Sequence, residues 1–422
     1  MGCIRRIYNW LKTLKPKKKE RLSNKNNLKI TADKLMPNFI VTPWEVSGEV
    51  DYDQLIQEFG IEPIDDKLLS YLKEITNEIH PFLTRKIFFA HRDLNWILDE
   101  YKKGNPFYLY TGRGPSGNIH LGHVMPWIFT KWLQDKFDVE LWFQLTDDEK
   151  FLFNPSLSLE DAYKYSYENA LDIIALGFDP KKTFIFSDID LAGTLYKNAL
   201  HIAKKITYST IKATFGLTNS ANIGQIFYTS IQTVPAIIKS IIEKKNVPCI
   251  IPHAVDQDPH FRLSRDVLPK LGYYKPASIQ CIFLPSLQQG GKMSASVEHT
   301  AIFTKDTPDI VKKKVNNAFT GGQASAKIQR ELGGNPSICS VYKYHFMLFT
   351  LDDDEIKKIQ SRCKGGDLLC GECKNNLTQK INKFLTKHQE KREKAKDVID
   401  DYLLKEKINL RSLVNEKNKK FV

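Results

Sequence analysis

The sequence lacks any run of roughly 18 or more apolar residues, the length that a membrane-spanning helix needs. It also lacks an internal repeat, and no secretory signal is visible at its start. Apolar residues make up 42% and charged residues 26% of the 422 positions, as is typical of a soluble globular protein. We therefore predict a cytoplasmic protein of about two or three domains, with no stable insertion in a membrane.

Acidic residues are scarce at both ends of the chain. Residues 1–29 hold ten Lys/Arg and one acidic residue, and residues 374–422 hold fourteen Lys/Arg and seven acidic residues. Since the whole chain carries +13, residues 30–373 carry a net charge of −3. Basic ends on a nearly neutral body suit a polyanion such as RNA, although lysine-rich tails are also common as merely solvated segments. Residues 1–37 are predicted to be a disordered basic tail, which could bind RNA, lie on a membrane or do neither.

The most informative segment is residues 107–150. Its β-formers at 107–110 enter a glycine-rich loop, apolar residues then recur at helical spacing, and a second strand follows at 139–146. His120 and His123 lie on the first turn of the predicted helix. A glycine-rich turn at the N-terminus of a helix favours phosphate, because backbone N–H groups and the helix dipole point at it. The segment therefore predicts nucleotide binding.

A second motif follows the first by about 170 residues. Here Gly290 and Gly291 precede Lys292, Ser294 and Ser296. A lysine on a glycine-hinged loop can move onto a polyphosphate, and serine hydroxyls can donate to its oxygens.

Together, His120-Leu-Gly-His123 and Lys292-Met-Ser-Ala-Ser296 resemble the paired motifs of the class I aminoacyl-tRNA synthetases. The surrounding sequence is similar to the eukaryotic-type tryptophanyl-tRNA synthetase family at Val41–Trp44, Tyr110–Ser116, Gln144–Lys150, Ile231–Gln232 and Ala254–Phe261. The loop before His120 is a residue shorter than the family pattern, which alters a turn and leaves both histidines in place.

The resemblance implies an α/β fold, in which a Rossmann-like parallel sheet forms the catalytic domain and an all-α C-terminal domain binds the anticodon. Strands are predicted at 107–111, 139–146, 183–187, 248–252 and 280–284, and helices at Asp65–Glu78 and Leu377–Leu404. The predicted domains are the tail at 1–37, a hairpin with helices covering the ATP site at 38–104, the catalytic domain at 105–297 with a connective insertion at about 156–235, and the helical domain at 298–422.

Such an enzyme joins an amino-acid carboxylate to the α-phosphate of ATP, which carries Mg²⁺. The predicted catalytic residues are His120, His123 and Lys292, because they can donate hydrogen bonds to phosphate oxygens. Further ATP contacts are predicted at Arg113, Gly114, Gly122, Gln257, Lys292, Ser294 and Ser296. Either histidine could instead be a structural cap, and Arg113 could instead pair with Asp147 or Asp148.

An indole N–H donates a hydrogen bond and cannot accept one, so a tryptophan pocket needs acceptor atoms. The resemblance assigns that task to Tyr110 and Gln144. The other implied contacts are those of Glu149, Gln232 and Gln257 with the ammonium, of Lys150 with the carboxylate, and of Phe261 with the aliphatic part of the ligand. A glutamine at a strand end could also merely satisfy backbone groups.

Four of the seven cysteines, Cys339, Cys363, Cys370 and Cys373, fall within 35 residues. Disulfides are uncommon in cytoplasmic enzymes, whereas four convergent thiolates can bind Zn²⁺ or a [4Fe–4S] cluster. The spacing resembles that of the cluster-binding bacterial tryptophanyl enzymes, so we predict a metal centre and favour iron–sulfur over zinc. Alternatively, Cys339 is a core thiol and the Cys370–Cys373 pair is a turn.

The resemblance thus implies an enzyme that charges tRNA(Trp) with tryptophan, and the resemblance alone implies that this enzyme is a homodimer. A tyrosyl-tRNA synthetase of the same subclass is the nearest enzymatic alternative. A synthetase-like protein that only binds RNA is an alternative of another kind, and the intact His120, His123 and Lys292 argue against it.

Overall fold

The computed structural model describes residues 39–41, 46–48, 50–289, 293 and 298–406. Outside the described residues lie the predicted tail at 1–37, most of the Val41–Trp44 segment, and the loop residues Lys292, Ser294 and Ser296. In the part of the chain that is described, no helix is both long and apolar enough to cross a membrane.

A seven-stranded sheet forms the centre of the described fold, and a two-stranded hairpin precedes it. The strands are β1 (Phe39–Val41), β2 (Val46–Gly48), β3 (Glu62–Pro63), β4 (Phe88–Arg92), β5 (Tyr108–Arg113), β6 (Leu141–Leu145), β7 (Thr183–Ser187), β8 (Cys249–Ala254) and β9 (Ala277–Cys281). The order in the sheet is β3-β4-β9-β8-β5-β6-β7. Neighbours from β9 to β7 pair in parallel, while β4 and β3 join at one edge by antiparallel pairing. The predicted α/β class with a parallel core is confirmed.

Helices surround this sheet and form the C-terminal region. They are α1 (Tyr52–Phe59), α2 (Asp66–Thr76), α3 (Pro81–Thr84), α4 (Leu94–Lys102), α5 (Leu121–Phe137), α6 (Asp147–Phe153), α7 (Leu159–Ile174), α8 (Ala192–Ala203), α9 (Tyr208–Phe215), α10 (Ile223–Thr233), α11 (Ile238–Glu243), α12 (Asp258–Val267), α13 (Pro308–Asn316), α14 (Ala326–Leu332), α15 (Ser340–Tyr344), α16 (Asp353–Lys364) and α17 (Cys370–Ala395). Shorter 3₁₀ turns lie at Val234–Ile237, Val255–Gln257, Leu268–Leu271, Glu298–Thr300 and Ile399–Asp401, and a π-helical turn at His345–Phe349.

Apolar side chains cover both faces of the parallel strands. Leu109 and Ile185 belong to a buried cluster that includes the apolar face of α5. Tyr108 and Phe186 belong to a second cluster, which includes residues of α8 and α12. Successive side chains of a strand point to opposite faces, so a strand covered on both sides needs an unbroken apolar run. Leu141–Leu145 is buried at every position and is apolar except for Gln144, near its carboxyl end.

The order of the strands reverses at β5. From β5 the chain passes to β6 and β7 on one side, and it later returns to β8 and β9 on the other side. In open parallel sheets, ligands bind beyond the carboxyl ends of the strands at such a reversal. The fold therefore predicts a site where β5 ends at Arg113 and β8 ends at Ala254.

The region after residue 298 is helical in the described residues, and its longest helix, α17, packs against α7. Arg392 and His388 of α17 both contact the Asp172 carboxylate of α7, through N–O distances of 3.2 and 2.9 Å. The division into domains stays a prediction. Because β3 and β4 come from the segment 38–104, that segment contributes to the same sheet as the catalytic strands.

Candidate active site

A cavity of about 330 Å³ opens at the carboxyl ends of β5 and β8, a volume that suits a small ligand. Among the predicted site residues, those on its wall are Tyr110, Arg113, Gly114, His120, Gly122, His123, Glu149, Lys150, Gln232, Gln257 and Phe261. Gln144 is fully buried, and its side-chain oxygen accepts a hydrogen bond from the hydroxyl of Tyr110. Lys292, Ser294 and Ser296 lie outside the described residues, and Met293 between them lines the cavity.

His120 and His123 lie at the N-terminus of α5, where Leu121 is the first helical residue. The backbone N–H of His120 donates to Nδ1 of His123 at 3.3 Å, and the two rings stack with their centroids 3.6 Å apart. His123 is therefore partly a structural cap, as the alternative interpretation proposed, and both rings also line the cavity. A helix N-terminus attracts an anion through its N–H groups and its dipole.

Gly122 allows these rings to lie close to the chain. A Cβ atom on Gly122 would stand 3.0 Å from both Cε1 and Nδ1 of His120, and 3.7 Å from Cβ of Met293. Such a distance is tighter than ordinary van der Waals contact. A side chain at this position would therefore displace the His120 ring, whereas glycine leaves room for it.

Arg113 supplies positive charge at the same end of the cavity. Its Nε donates to Oδ1 of Asn169 at 3.2 Å, while its enclosed Nη2 has no hydrogen-bond partner among the described residues. Burial lowers the pKa of Arg113 to about 10, although the nearby charge of Glu149 opposes that change. Its hydrogen bond is thus made with Asn169 rather than with Asp147 or Asp148. Buried polar groups normally have partners, so the enclosed N–H is suited to a bound anion.

Glu149 and Lys150 form an ion pair on the wall of the cavity. Oε1 of Glu149 accepts from Nζ of Lys150 at 2.9 Å, and Oε2 accepts from Oγ1 of Thr146 at 2.7 Å. Burial raises the pKa of the Glu149 carboxyl, but Lys150 and the Thr146 hydroxyl together bring it below its usual range. The carboxylate therefore stays ionised at neutral pH and can bind an ammonium group.

Gly114 leaves the space that the Lys150 side chain fills. A Cβ atom on Gly114 would stand 1.9 Å from Cε of Lys150, 2.8 Å from its Nζ and 3.1 Å from Oε2 of Glu149. At Gly117, in the same loop, a Cβ atom would meet nothing within 4 Å.

Uncharged polar groups also belong to the site. Oη of Tyr110 lies 2.5 Å from Oε1 of Gln144 and 2.9 Å from the backbone oxygen of Gln232, and both of these oxygens are hydrogen-bond acceptors. The rings of Tyr110 and Phe261 meet edge to face, with their centroids 5.8 Å apart. Burial raises the pKa of Tyr110 well above its usual value, so the phenol keeps its proton.

Two residues that contact these groups were missed by the sequence analysis. Asp188 accepts from Nε2 of Gln144, and Asn169 accepts from Arg113. Asp188 directly follows β7, at the same edge of the sheet as the ends of β5 and β6. A polar residue immediately after a predicted strand is the signal that could have found Asp188. Asn169 lies inside α7 and carries no comparable signal.

The structure does not support the predicted iron–sulfur or zinc centre at Cys339, Cys363, Cys370 and Cys373. Within the described ranges, no group of three or more His, Cys, Asp or Glu side chains could hold a metal ion. Cys339 is buried, and its Sγ accepts from the backbone N–H of Tyr342 at 3.5 Å, which caps α15. Burial raises the pKa of Cys373 to about 12, and the nearby Cys339, Cys363 and Cys370 contribute to that increase.

Comparisons with known proteins agree with this geometry. A family described as "tRNA synthetases class I (W and Y)" matches residues 102–386. The tryptophan–tRNA ligase of Pyrobaculum calidifontis is 51% identical over 371 residues, which cover 88% of this chain and 99% of the relative.

Solved structures give the same result. The tryptophanyl-tRNA synthetase of Plasmodium falciparum is 40% identical with a TM-score of 0.77, and the match covers 82% of this chain and 94% of that one. The tryptophanyl-tRNA synthetase of Encephalitozoon cuniculi, solved bound to tryptophan, is 38% identical with a TM-score of 0.78, and the match covers 85% of this chain and 99% of that one. These relatives come from archaea and from eukaryotic parasites, so the eukaryotic cytosolic subtype stays a prediction. A family match over more than half of the chain, with relatives this similar along nearly their whole length, places the protein in the class I tRNA synthetase family of the W and Y type.

Proposed function

We propose that the protein is a tryptophan–tRNA ligase, which converts tryptophan and ATP to tryptophanyl-adenylate and pyrophosphate and then transfers tryptophan to tRNA(Trp). The observation that carries this proposal is that one cavity combines three kinds of group on its wall. The helix N-terminus and Arg113 would form its phosphate end, the ionised Glu149 beside Lys150 its middle, and the uncharged acceptors around Tyr110 its far end.

The far end of the cavity suits an indole better than a phenol. An indole N–H needs an acceptor, and the oxygens of Tyr110 and Gln144 are uncharged acceptors in a buried environment. A phenol site typically offers a carboxylate to the hydroxyl. The nearest candidate, Asp188, is buried and already accepts from Gln144. Tryptophan is therefore the proposed substrate, with its side chain against Tyr110 and Phe261.

The middle of the cavity suits the amino-acid backbone. The Glu149 carboxylate would bind the substrate ammonium, with Gln232 and Gln257 completing its hydrogen bonds, and Lys150 would bind the carboxylate. All four residues line the cavity. In this position the substrate carboxylate points towards the N-terminus of α5, where the phosphates of ATP are proposed to lie.

Adenylate formation is in-line displacement at phosphorus. A carboxylate oxygen of tryptophan forms a bond with the α-phosphorus of ATP, and the bond from that phosphorus to the bridging oxygen breaks, so pyrophosphate leaves with the electron pair. His120, His123 and Arg113 would donate N–H groups to the phosphate oxygens as their charge redistributes. The backbones of Gly114 and Gly122, together with Gln257, are further proposed contacts of ATP. Mg²⁺ would arrive bound to the phosphates as part of the substrate.

The loop that follows β9 completes the proposed ATP site. Lys292 would neutralise charge on the β- and γ-phosphates, and Ser294 and Ser296 would donate hydrogen bonds to them. The support for these roles is the sequence motif together with the position of Met293 on the cavity wall.

The remaining proposals concern partners and location. The C-terminal residues 374–422 carry a net charge of +7, which supports binding of tRNA along the helical region. We further propose that the enzyme is a cytoplasmic homodimer, on the basis of the family resemblance. Sedimentation of the purified protein tests the dimer.

Exchange of radiolabelled pyrophosphate into ATP tests the proposed reaction directly. We expect exchange that depends on tryptophan and exceeds the tyrosine-dependent rate by at least about a thousandfold in kcat/KM, because a buried polar site strongly rejects a ligand that leaves its groups unpaired. Exchange driven by tyrosine would identify the alternative synthetase, and the absence of exchange with either amino acid would favour a protein that only binds RNA.

Replacing Gly114 by Ala should weaken tryptophan binding through Lys150. The new methyl group occupies the space of Cε of Lys150, so the ammonium group must move away from Glu149. We expect the KM for tryptophan to rise about tenfold, corresponding to roughly 1.4 kcal/mol, with a smaller effect on kcat. Gly117→Ala is the matched control, because a Cβ atom there meets nothing within 4 Å. Equal KM values for the two variants would contradict the proposed role of Lys150.

A further inference from the structure

We propose that Asp188 determines specificity for tryptophan by fixing the orientation of the Gln144 side-chain amide. This inference rests on the proposed function and adds a positioning residue to it. Nε2 of Gln144 lies 2.7 Å from Oδ1 and 3.0 Å from Oδ2 of Asp188, while Oε1 of the same amide lies 2.5 Å from Oη of Tyr110. The amide nitrogen therefore faces Asp188 and the amide oxygen faces the tyrosine.

The direction of these hydrogen bonds leaves acceptors facing the ligand. Tyr110 donates its proton to Oε1 of Gln144 or to the backbone oxygen of Gln232, and Gln144 donates in turn to Asp188. The Tyr110 hydroxyl and the Gln144 amide nitrogen thus both donate to acceptors of the protein itself. The lone pairs of the Tyr110 oxygen remain available to an indole N–H.

Reversal of the amide would remove this property. With Gln144 rotated by half a turn, an N–H group would occupy a lone pair of Tyr110 and stand beside the indole N–H, donor against donor. The two ends of a glutamine amide have nearly the same shape, so packing alone does not choose between them. The choice falls to hydrogen bonding, and the buried Asp188 holds both of its carboxyl oxygens within hydrogen-bonding distance of the amide nitrogen.

The setting of Asp188 suits this role. Burial, together with the neighbouring Asp148 carboxylate, raises the pKa of Asp188 well above its usual value. A protonated Asp188 can donate its own proton to Asp148 while its other oxygen still accepts from Gln144. Asp188 thus remains a hydrogen-bond acceptor for Gln144, while Asp188 and Asp148 do not both carry a full negative charge in the core beside the substrate.

A pair of substrates and a pair of variants test the inference. L-tryptophan is compared with 3-(3-benzothienyl)-L-alanine, in which sulfur replaces the indole N–H at nearly the same size. The measured quantity is the ratio of kcat/KM for the two substrates in ATP–pyrophosphate exchange. We expect the unmodified enzyme to prefer tryptophan by roughly tenfold to a hundredfold, because the analogue leaves a buried acceptor unpaired.

Asp188→Leu should reduce that preference to below about threefold, because the amide of Gln144 loses its fixed partner. Asp188→Asn should keep the preference, since Asn retains an acceptor oxygen of the same position and size. Asp190→Leu, two residues further along, is the control and should also keep it. A ratio between two substrates does not depend on how much of a variant is folded.

Two outcomes would overturn the inference. If Asp188→Leu lowers kcat/KM for both substrates by the same factor, Asp188 is only structural. If Asp188→Asn loses the preference as fully as Asp188→Leu, an acceptor at this position is not what matters. Failure of the proposed function is a separate result, because the unmodified enzyme would then show no tryptophan-dependent exchange at all.

Discussion

Replacing Asp172 by Ala is expected to lower the free energy of unfolding by about 3–5 kcal/mol. The Asp172 carboxylate of α7 is fully buried and contacts two side chains of α17, Nε2 of His388 at 2.9 Å and Nε of Arg392 at 3.2 Å. Alanine would remove one of the carboxylates that balance the charge of the buried Arg392 guanidinium. It would also remove the hydrogen-bond partner of the His388 imidazole. The cost is mainly that of the unpaired groups, rather than the net strength of the ion pair.

Glu168→Ala is the matched control for this prediction. Glu168 lies one turn from Asp172 on α7 and also contacts Arg392, with an Oε2–Nη2 distance of 2.5 Å, but its side chain is 48% exposed. The exposed Glu168 carboxylate is screened by water, and Arg392 keeps Asp172 as a partner when Glu168 is removed. Removal of Glu168 should therefore cost no more than about 1 kcal/mol. Urea denaturation followed by circular dichroism measures both variants. Equal losses would show that burial does not distinguish the two carboxylates and would contradict the expected role of Asp172.

The parallel core of the fold could be predicted because its strands are local patterns. The strand predicted at 183–187 is observed at Thr183–Ser187, and the strand predicted at 139–146 is observed at Leu141–Leu145. The central residues of such runs are apolar because helices cover both faces of the sheet. The strand predicted at 280–284 instead lies at Ala277–Cys281, since the apolar residues that follow Cys281 extend the pattern beyond the hydrogen-bonded residues.

Long-range pairing could not be predicted in the same way. The strand Phe88–Arg92 carries a histidine and an arginine at its end, and its pairing with Ala277–Cys281 joins segments far apart in the sequence. The choice of partner depends on which edge of the sheet is left uncovered. No pattern within either segment predicts which strand it will pair with.

In the site, too, residues of local motifs could be predicted, whereas residues whose role depends on contacts with distant segments could not. Motif residues such as His120 and Glu149 were predicted from the residues next to them in the sequence, and both line the cavity. Asp188 and Asn169 act on site residues from other elements, so their roles depend on the packing of β7 and α7 against β5 and β6. The predicted metal centre is not supported among the described residues, since cysteine spacing does not reveal whether thiols are buried or used as helix caps.

Arg113→Met is expected to separate catalysis from stability. Arg113 brings a charge into the cavity, its Nη2 has no partner among the described residues, and burial lowers its pKa to about 10. In the proposed mechanism the missing partner is a phosphate oxygen of ATP, whose charge grows in the transition state. Loss of one such donor typically costs about 2.7–4 kcal/mol, so kcat/KM for tryptophan-dependent exchange should fall by roughly a hundredfold to a thousandfold.

The same substitution should leave the fold at least as stable, because it removes a charge that burial disfavours and replaces it by an apolar chain of similar length. We expect a gain of up to about 1 kcal/mol in the free energy of unfolding, measured without ATP. Saturating ATP should raise the melting temperature of the unmodified enzyme more than that of the variant, because the variant binds the phosphates less well. A variant that loses activity and stability together would instead identify Arg113 as a structural residue, held by Asn169. Activity lost while stability is kept is the result that assigns the guanidinium to the substrate.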